Sequence, residues 1–113
     1  MHEMSLAESV IDLIEHRARR AGYRRVKTVR LEIGKLSGVE PDAIRFCFGA
    51  VACGTLAEGA ALDIVEEDGR AWCFDCGRLM PLVTRGDPCP GCGGYRMRVD
   101  EGLAMRVKEL EVE

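Results

Sequence analysis

No stretch of this chain is apolar for long enough to cross a bilayer, which takes about 20 consecutive apolar residues, so the sequence reads as a soluble protein with no membrane partner. Aromatics are scarce at 5 %, and the core must therefore be mostly aliphatic. Only two histidines occur, His2 and His16. No Ser/His/Asp or Cys/His set suited to nucleophilic catalysis is available, and there is no Gly-x-x-x-x-Gly-Lys loop to cradle phosphates. The reading is of a protein that is not an enzyme and hydrolyses no nucleotide itself. A formal charge of −3 argues against broad nucleic-acid binding. Repeats and low-complexity tracts are lacking, as is a signal-peptide pattern at the start, which points to a reducing, cytoplasmic setting.

What the chain does have is cysteine in a telling arrangement. Cys73-Phe-Asp-Cys76-Gly is followed by Cys89-Pro-Gly-Cys92-Gly, with twelve residues between Cys76 and Cys89. A two-residue gap lets both sulfurs of a pair point inward from one tight turn, and two such pairs can surround one ion tetrahedrally. The glycines after Cys76 and Cys92 allow a positive φ and a close approach of backbone N–H to sulfur. Disulfides and a redox pair compete with this reading, but the inferred reducing setting and the doubled motif favour one shared metal, Zn(II) ahead of iron. With all four positions filled by cysteine, no coordination site is left for water or substrate, so the metal is structural. Four bound thiolates and a dication would take the formal charge from −3 to −5.

The whole chain of 113 residues suits one α/β domain with a small metal lobe. Leu6, Val10 and Leu13, beside Ala7, Ile11, Ile14 and Ala18, make the apolar stripe of a helix from Met4 to about Arg20, closed by Gly22. Arg17, Arg19, Arg20, Arg24, Arg25, Lys27 and Arg30 read as a solvated face. Val26–Leu36 alternates as a strand. Pro41 opens a second helix with Ile44, Cys47, Phe48 and Val51 inward, and Cys47 and Cys53 read as small buried hydrophobes. Ala61–Glu67 is a second strand and Leu103–Val112 the last. A right-handed crossover makes the first two strands parallel, with the last antiparallel to the second. The expected fold is α+β: a three-stranded mixed sheet with two helices on one face, plus an inserted four-cysteine lobe like a zinc ribbon. Residues 1–69 and 99–113 would form the main domain and 70–98 the lobe, with a short hairpin between the cysteine pairs.

The start, Met1-His2-Glu3, offers a second and different chelate. Its donors are the α-amine of Met1, the deprotonated backbone nitrogen of His2, the His2 imidazole and the Glu3 amide. Nitrogen sets of this kind suit square-planar Ni(II) or Cu(II) rather than tetrahedral Zn(II). A histidine near a chain start is otherwise most often idle.

Taken together, Met1-His2-Glu3-Met4-Ser5-Leu6, Leu31-Glu-Ile-Gly-Lys-Leu36, the two Cys-x-x-Cys pairs and the terminal Leu-Glu-Val-Glu resemble the HypA/HybF family. These are nickel-insertion accessory proteins of [NiFe]-hydrogenase maturation and, in some bacteria, of urease maturation. The resemblance runs the whole length. It implies a nickel metallochaperone with transient Ni(II) at Met1, His2 and Glu3 and structural Zn(II) at Cys73, Cys76, Cys89 and Cys92. It also implies two partners, a maturation GTPase (HypB-like) and the hydrogenase large subunit. A monomer or weak homodimer is expected. Some relatives flank the zinc cysteines with histidine. Here the flanking positions are Trp72, Phe74, Gly77, Pro88, Pro90 and Gly93. The competing reading is a zinc-ribbon adaptor that binds nucleic acid or transcription proteins.

Overall fold

The computed structural model describes residues 2–113; the Met1 end of the N-terminal chelate lies outside the described residues. The element order is α1 (His2–Ala21), β1 (Val26–Gly34), α2 (Pro41–Ala52), β2 (Ala61–Glu67), β3 (Arg70–Cys73), β4 (Arg78–Pro81), β5 (Met97–Glu101) and β6 (Met105–Val112). Two three-stranded sheets result, ordered β2-β1-β6 and β4-β3-β5. The chain divides into two compact units.

The first unit takes Met1–Leu31, Val39–Ile64 and Val107–Glu113. Its core is the apolar stripe of α1 (Ala7, Val10, Ile11, Ile14), that of α2 (Ile44, Cys47, Phe48, Ala52), and Val26, Val29 and Leu31 of β1. α1 and α2 pack against each other. The Gly22 amide bonds the Ala18 carbonyl at 2.8 Å with φ +81°, which ends α1 as the sequence suggests. The Tyr23 hydroxyl then donates to the Ile14 carbonyl at 2.8 Å and ties the chain back to the helix. α1 begins two residues earlier than the apolar stripe indicates, so His2 and Glu3 are helical rather than ahead of the helix. An acidic residue in a first turn is favoured by the helix dipole, and Glu3 is that residue.

The mixed sheet is built around β1. On one side β1 and β2 run parallel. On the other, β6 comes back antiparallel: the Arg24 amide meets the Glu113 carbonyl at 3.1 Å and the Glu113 amide meets the Arg25 carbonyl at 2.9 Å. The last strand therefore pairs with β1. Arg30 is held between Asp63 of β2 and Glu109 of β6, a cross-strand ion pair on each side. The other cations of the basic run, from Arg17 to Lys27, are exposed or nearly so.

The second unit takes Glu32–Gly38 and Val65–Arg106. β3 is its central strand, antiparallel to both neighbours, with Ala71 opposite Met80 and Val99, and Cys73 opposite Arg78 and Met97. The hairpin starts before the first cysteine pair rather than between the pairs, because Cys73 is the last residue of β3 and the first knuckle is itself the β3–β4 turn. Leu36, Ala71 and Leu82 form one small core with Met97 and Val99 against it. Three glycines crowd beside it. A Cβ on Gly34 would run into the Gly102 backbone, and one on Gly69 into Leu36 and the Leu82 carbonyl, so these backbones approach more closely than a side chain allows.

Candidate metal centre

The second unit is too small to bury a large core, and its other apolar cluster is made mostly of sulfur: Cys73, Met80 and Cys89, with Cys76 and Met97 packed on it. The four cysteine Sγ atoms all lie within 4.8 Å of one another. Cys73 to Cys92 is 3.7 Å and Cys76 to Cys89 is 3.8 Å. With Zn–S near 2.3 Å, a tetrahedron has an edge of roughly 3.8 Å. The donor set thus fits a tetrahedral thiolate-binding ion in number, type and spacing.

The two knuckles are built alike. The Gly77 amide donates to the Cys73 carbonyl and the Gly93 amide to the Cys89 carbonyl, each at 2.8 Å. Both glycines sit in the left-handed region, at φ +67° and +75°, where a side chain would strain the turn. Backbone N–H groups point at sulfur from inside each turn, Cys76 to Cys73 Sγ at 3.4 Å and Gly91 to Cys89 Sγ at 3.3 Å. The second turn is locked to its exit by the Cys89 amide on the Gly94 carbonyl at 2.8 Å. A side chain on Gly91 would press on Met80 Cε and Cys76 Sγ.

Electrostatics in the metal-free set are those of four thiols that share protons. The Cys89 thiol is pulled down to about 7 by the backbone amide of Cys92, with the Gly91 amide assisting. The Cys76 thiol is pushed up to about 12, first by its hydrogen bond with Cys73 and then by burial. Cys92 is also raised on balance, although the Gly94 amide beside it pulls the other way. Cys89 thus forms a thiolate readily near neutrality, while Cys76 resists, held protonated by its hydrogen bond with Cys73 and by burial. A dication removes that obstacle.

The N-terminal candidates are arranged differently. His2 is exposed, and its Nδ1 lies 3.5 Å from Glu3 Oε2. The Glu3 carboxylate is nearly covered and also receives the backbone amide of Glu40 at 3.5 Å. Glu40 is the residue that opens α2, and it has no side-chain cap of its own, so Glu3 occupies the anion-favouring end of that helix. The Glu3 carboxyl is held below the usual carboxylate range by its own backbone amide and by His2. His2 and Glu3 open α1, where amides have no carbonyl four residues back to bond. Those amides are therefore free of the helix ladder, although the Glu3 amide is engaged by its own carboxylate.

Of the other sequence candidates, Cys47 is buried as expected. Cys53 is not: it is exposed, with its Sγ on the Gly49 carbonyl at 3.4 Å, because it follows the last residue of α2. Neither joins the four-cysteine group. His16 is exposed. Two residues that the sequence reading passed over matter here. Met80 covers the sulfur cluster, and its strand alternation was the available signal. Glu40 meets Glu3 across 37 positions, a contact with no local signature.

The sequence profile of the family described as "Hydrogenase/urease nickel incorporation, metallochaperone, hypA" matches residues 1–112. The chain is 53 % identical to "Hydrogenase maturation factor HypA" of Rhodopseudomonas palustris (strain BisB5), over the full length of both. It is 54 % identical to the protein of the same name from Azotobacter chroococcum mcd 1, again over the full length of both. Among solved structures, the solution structure of the Ni metallochaperone HypA from Helicobacter pylori matches with a TM-score of 0.73 at 26 % identity, covering 97 % of this chain and 96 % of that one.

Proposed function

The chain belongs to the HypA family of hydrogenase/urease nickel-incorporation metallochaperones, and on that premise we propose that its two metal sites divide the work. Ni(II) is the cargo, taken up by Met1, His2 and Glu3. Zn(II) is the resident metal, held by Cys73, Cys76, Cys89 and Cys92, and it supplies the cohesion that the small unit around it lacks. The protein performs no catalysis of its own. It works in the cytoplasm with a HypB-like GTPase and delivers nickel to a hydrogenase large subunit, as a monomer or weak homodimer. Residues 1–69 and 99–113 serve nickel, and 70–98 serve zinc.

The observation that carries this division is the contrast in donors. Four converging sulfurs with tetrahedral spacing suit a closed zinc site. An exposed imidazole beside backbone nitrogens at a helix start suits nickel, which nitrogen sets favour. Exposure also leaves the cargo accessible to a recipient. In this assignment the chain's own contribution at the N-terminus is positional. Glu3 anchors the first turn of α1 to the start of α2 through the Glu40 amide, and so holds the His2 imidazole at a defined place.

The test is a nickel titration of untagged protein beside a form carrying extra residues before Met1. The unextended chain should bind one Ni(II), and the extended form should lose that binding because its terminal amine has become a peptide nitrogen. Undiminished affinity in the extended form would move the nickel site elsewhere.

A further inference from the structure

The end of α1 and the loop after it carry charge of one sign. Arg17, Arg19, Arg20, Arg24 and Arg25 fall within nine residues that hold no acid, in a chain with 19 acidic residues against 16 basic ones. All five are exposed, and none has a carboxylate partner among the described residues. Elsewhere pairing is the rule: Arg30, Lys35, Arg70, Arg96, Arg98 and Arg106 each reach one. Glu15 stands four residues before Arg19, a spacing at which helices pair opposite charges, yet the two form no ion pair. The fold brings the helix and loop arginines together within the first unit. Gly22 closes α1 on the Ala18 carbonyl, and the Tyr23 hydroxyl, on the Ile14 carbonyl at 2.8 Å, turns the loop back along the helix. Burial pushes the Tyr23 hydroxyl up, with the Arg17 charge pulling the other way, so Arg17 lies near that ring. Arg17 and Arg20, three apart, are neighbours on the helix surface. Just past Tyr23, the Arg24 amide and the Arg25 carbonyl are both bonded to the Glu113 backbone, while the Glu113 carboxylate faces Lys27 at 3.9 Å. The backbone is fixed here, and the five guanidiniums stand out from it.

We propose that this arginine cluster is a docking site for an acidic segment of a partner protein. The negative end of the helix dipole favours Arg19 and Arg20 in the last turn of α1 without any partner. It does not account for Arg24 and Arg25, which lie beyond the helix. All five cations are arginine and none is lysine, and the planar guanidinium fork is the group that grips a carboxylate with two parallel hydrogen bonds. With no carboxylate of the chain on them, all five forks are open to an incoming acid. The surroundings set the size of that acid. Asp12 and Glu15 lie one turn back on α1, and Glu111 and Glu113 end β6. A nucleic-acid strand or a membrane surface is charged over a longer span and would meet those carboxylates as well. The site also lacks what such partners use. Tyr23 is its only aromatic, half-buried with its hydroxyl taken, so no ring is free for bases to stack on. None of the large exposed apolar side chains among the described residues falls between residues 16 and 27, so nothing is offered for insertion into lipid. A few carboxylates on a short segment of protein fit the cluster. The site stands at the opposite end of α1 from His2, ~27 Å away at ~1.5 Å per residue, so a partner held there leaves the His2 end of the helix uncovered.

The experiment uses the full zinc-loaded chain and a short end-labelled peptide of alternating glutamate and glycine. Its lysine–glycine counterpart, an oligothymidylate and vesicles of phosphatidylserine with phosphatidylcholine are run beside it. The glutamate peptide should bind, shift the amide signals of residues 16–25 and the guanidinium signals of the five arginines, and bind more weakly as salt rises. Arg20→Glu and Arg24→Glu should each weaken it by about fivefold or more, since reversal removes an attractive pair and adds a repulsive one. Arg85→Glu reverses an arginine of the second unit that also has no carboxylate partner among the described residues, and it should leave the affinity unchanged. Arg20→Gln and Arg24→Gln, milder changes, provide the same comparison if either reversed variant loses its fold. No binding of the glutamate peptide, shifts confined to other residues, an equal loss in Arg85→Glu, or equal or tighter binding of the lysine peptide, the oligonucleotide or the vesicles would overturn the proposal. Nickel titration is read separately, so failure of the N-terminal assignment leaves this result standing.

Discussion

In the proposed assignment, the sulfur cluster and the N-terminus of α1 offer metals two opposite kinds of site. At the cluster, Cys73 and Cys89 are buried, four sulfurs converge within 4.8 Å, and amides inside each turn fix their directions. At the N-terminus, His2 is exposed, and Glu3 beside it is turned toward α2. A site wrapped in its own turns can release its ion only by opening those turns. A site on a helix end can be reached and emptied without unfolding anything. Under that assignment, retention and transfer, which make conflicting demands on one set of ligands, fall to separate segments of the chain.

The largest effect should come from breaking the closed site. Cys76→Ser removes one of four ligands, and apparent zinc-binding energies in sites of this kind are roughly 10–16 kcal/mol. The variant should lose zinc by elemental analysis. Amide signals should collapse over 70–98, while those of α1 and α2 remain. An ordered cluster without metal would contradict a structural role.

Next in size is the open site. His2→Ala should lower nickel affinity by at least about a hundredfold, since even the partners behind a metal ligand are worth about 10–100-fold, and leave zinc content and the far-UV spectrum unchanged. Isothermal titration reads the first and elemental analysis the second. If zinc also fell, the two sites would not be separable in the way the contrast requires.

The pH dependence sharpens the comparison further. Binding at the cluster must displace thiol protons, so affinity rises with pH, and the slope counts the protons released. Cys89, drawn down to about 7, has already lost its proton above that value, whereas Cys76, at about 12, has not. The slope of log affinity against pH should therefore lessen by about one on passing upward through about pH 7, as linkage requires. A competition assay with a chromophoric chelator between pH 6 and pH 8.5 measures it. A constant slope would mean that the second knuckle does not acidify Cys89.

The smallest effect concerns the support beneath His2. Glu3 has a lowered folded-state value. Its contribution to stability is therefore present above the ordinary carboxyl value of 4.5 and lost as pH falls through the lowered one. Glu3→Gln should fray the first turn of α1 at neutral pH, seen as faster amide exchange at the start of α1, with a melting temperature changed only slightly. An unaltered exchange pattern would remove Glu3 as the anchor.

Much of this was legible in the residues. Periodicity placed both helices and β2, and the doubled Cys-x-x-Cys-Gly spacing drew attention to all four sulfurs, because metal ligation imposes a local and rigid grammar on sequence. What escaped was non-local. The contact of Glu3, in the first turn of α1, with the Glu40 amide spans 37 positions. The role of Met80 depends on β4 folding back on β3 in one register. The exposure of Cys53 follows from where α2 ends, which an apolar stripe marks only to within a turn.

The division between a retained and a transferred metal is tested most directly by loading untagged protein with one Zn(II) and one Ni(II), adding excess chelator, and following both metals over time by native mass spectrometry. The account predicts that nickel leaves first and the protein keeps zinc with its fold unchanged. Loss of both metals together, or of zinc before nickel, would contradict it.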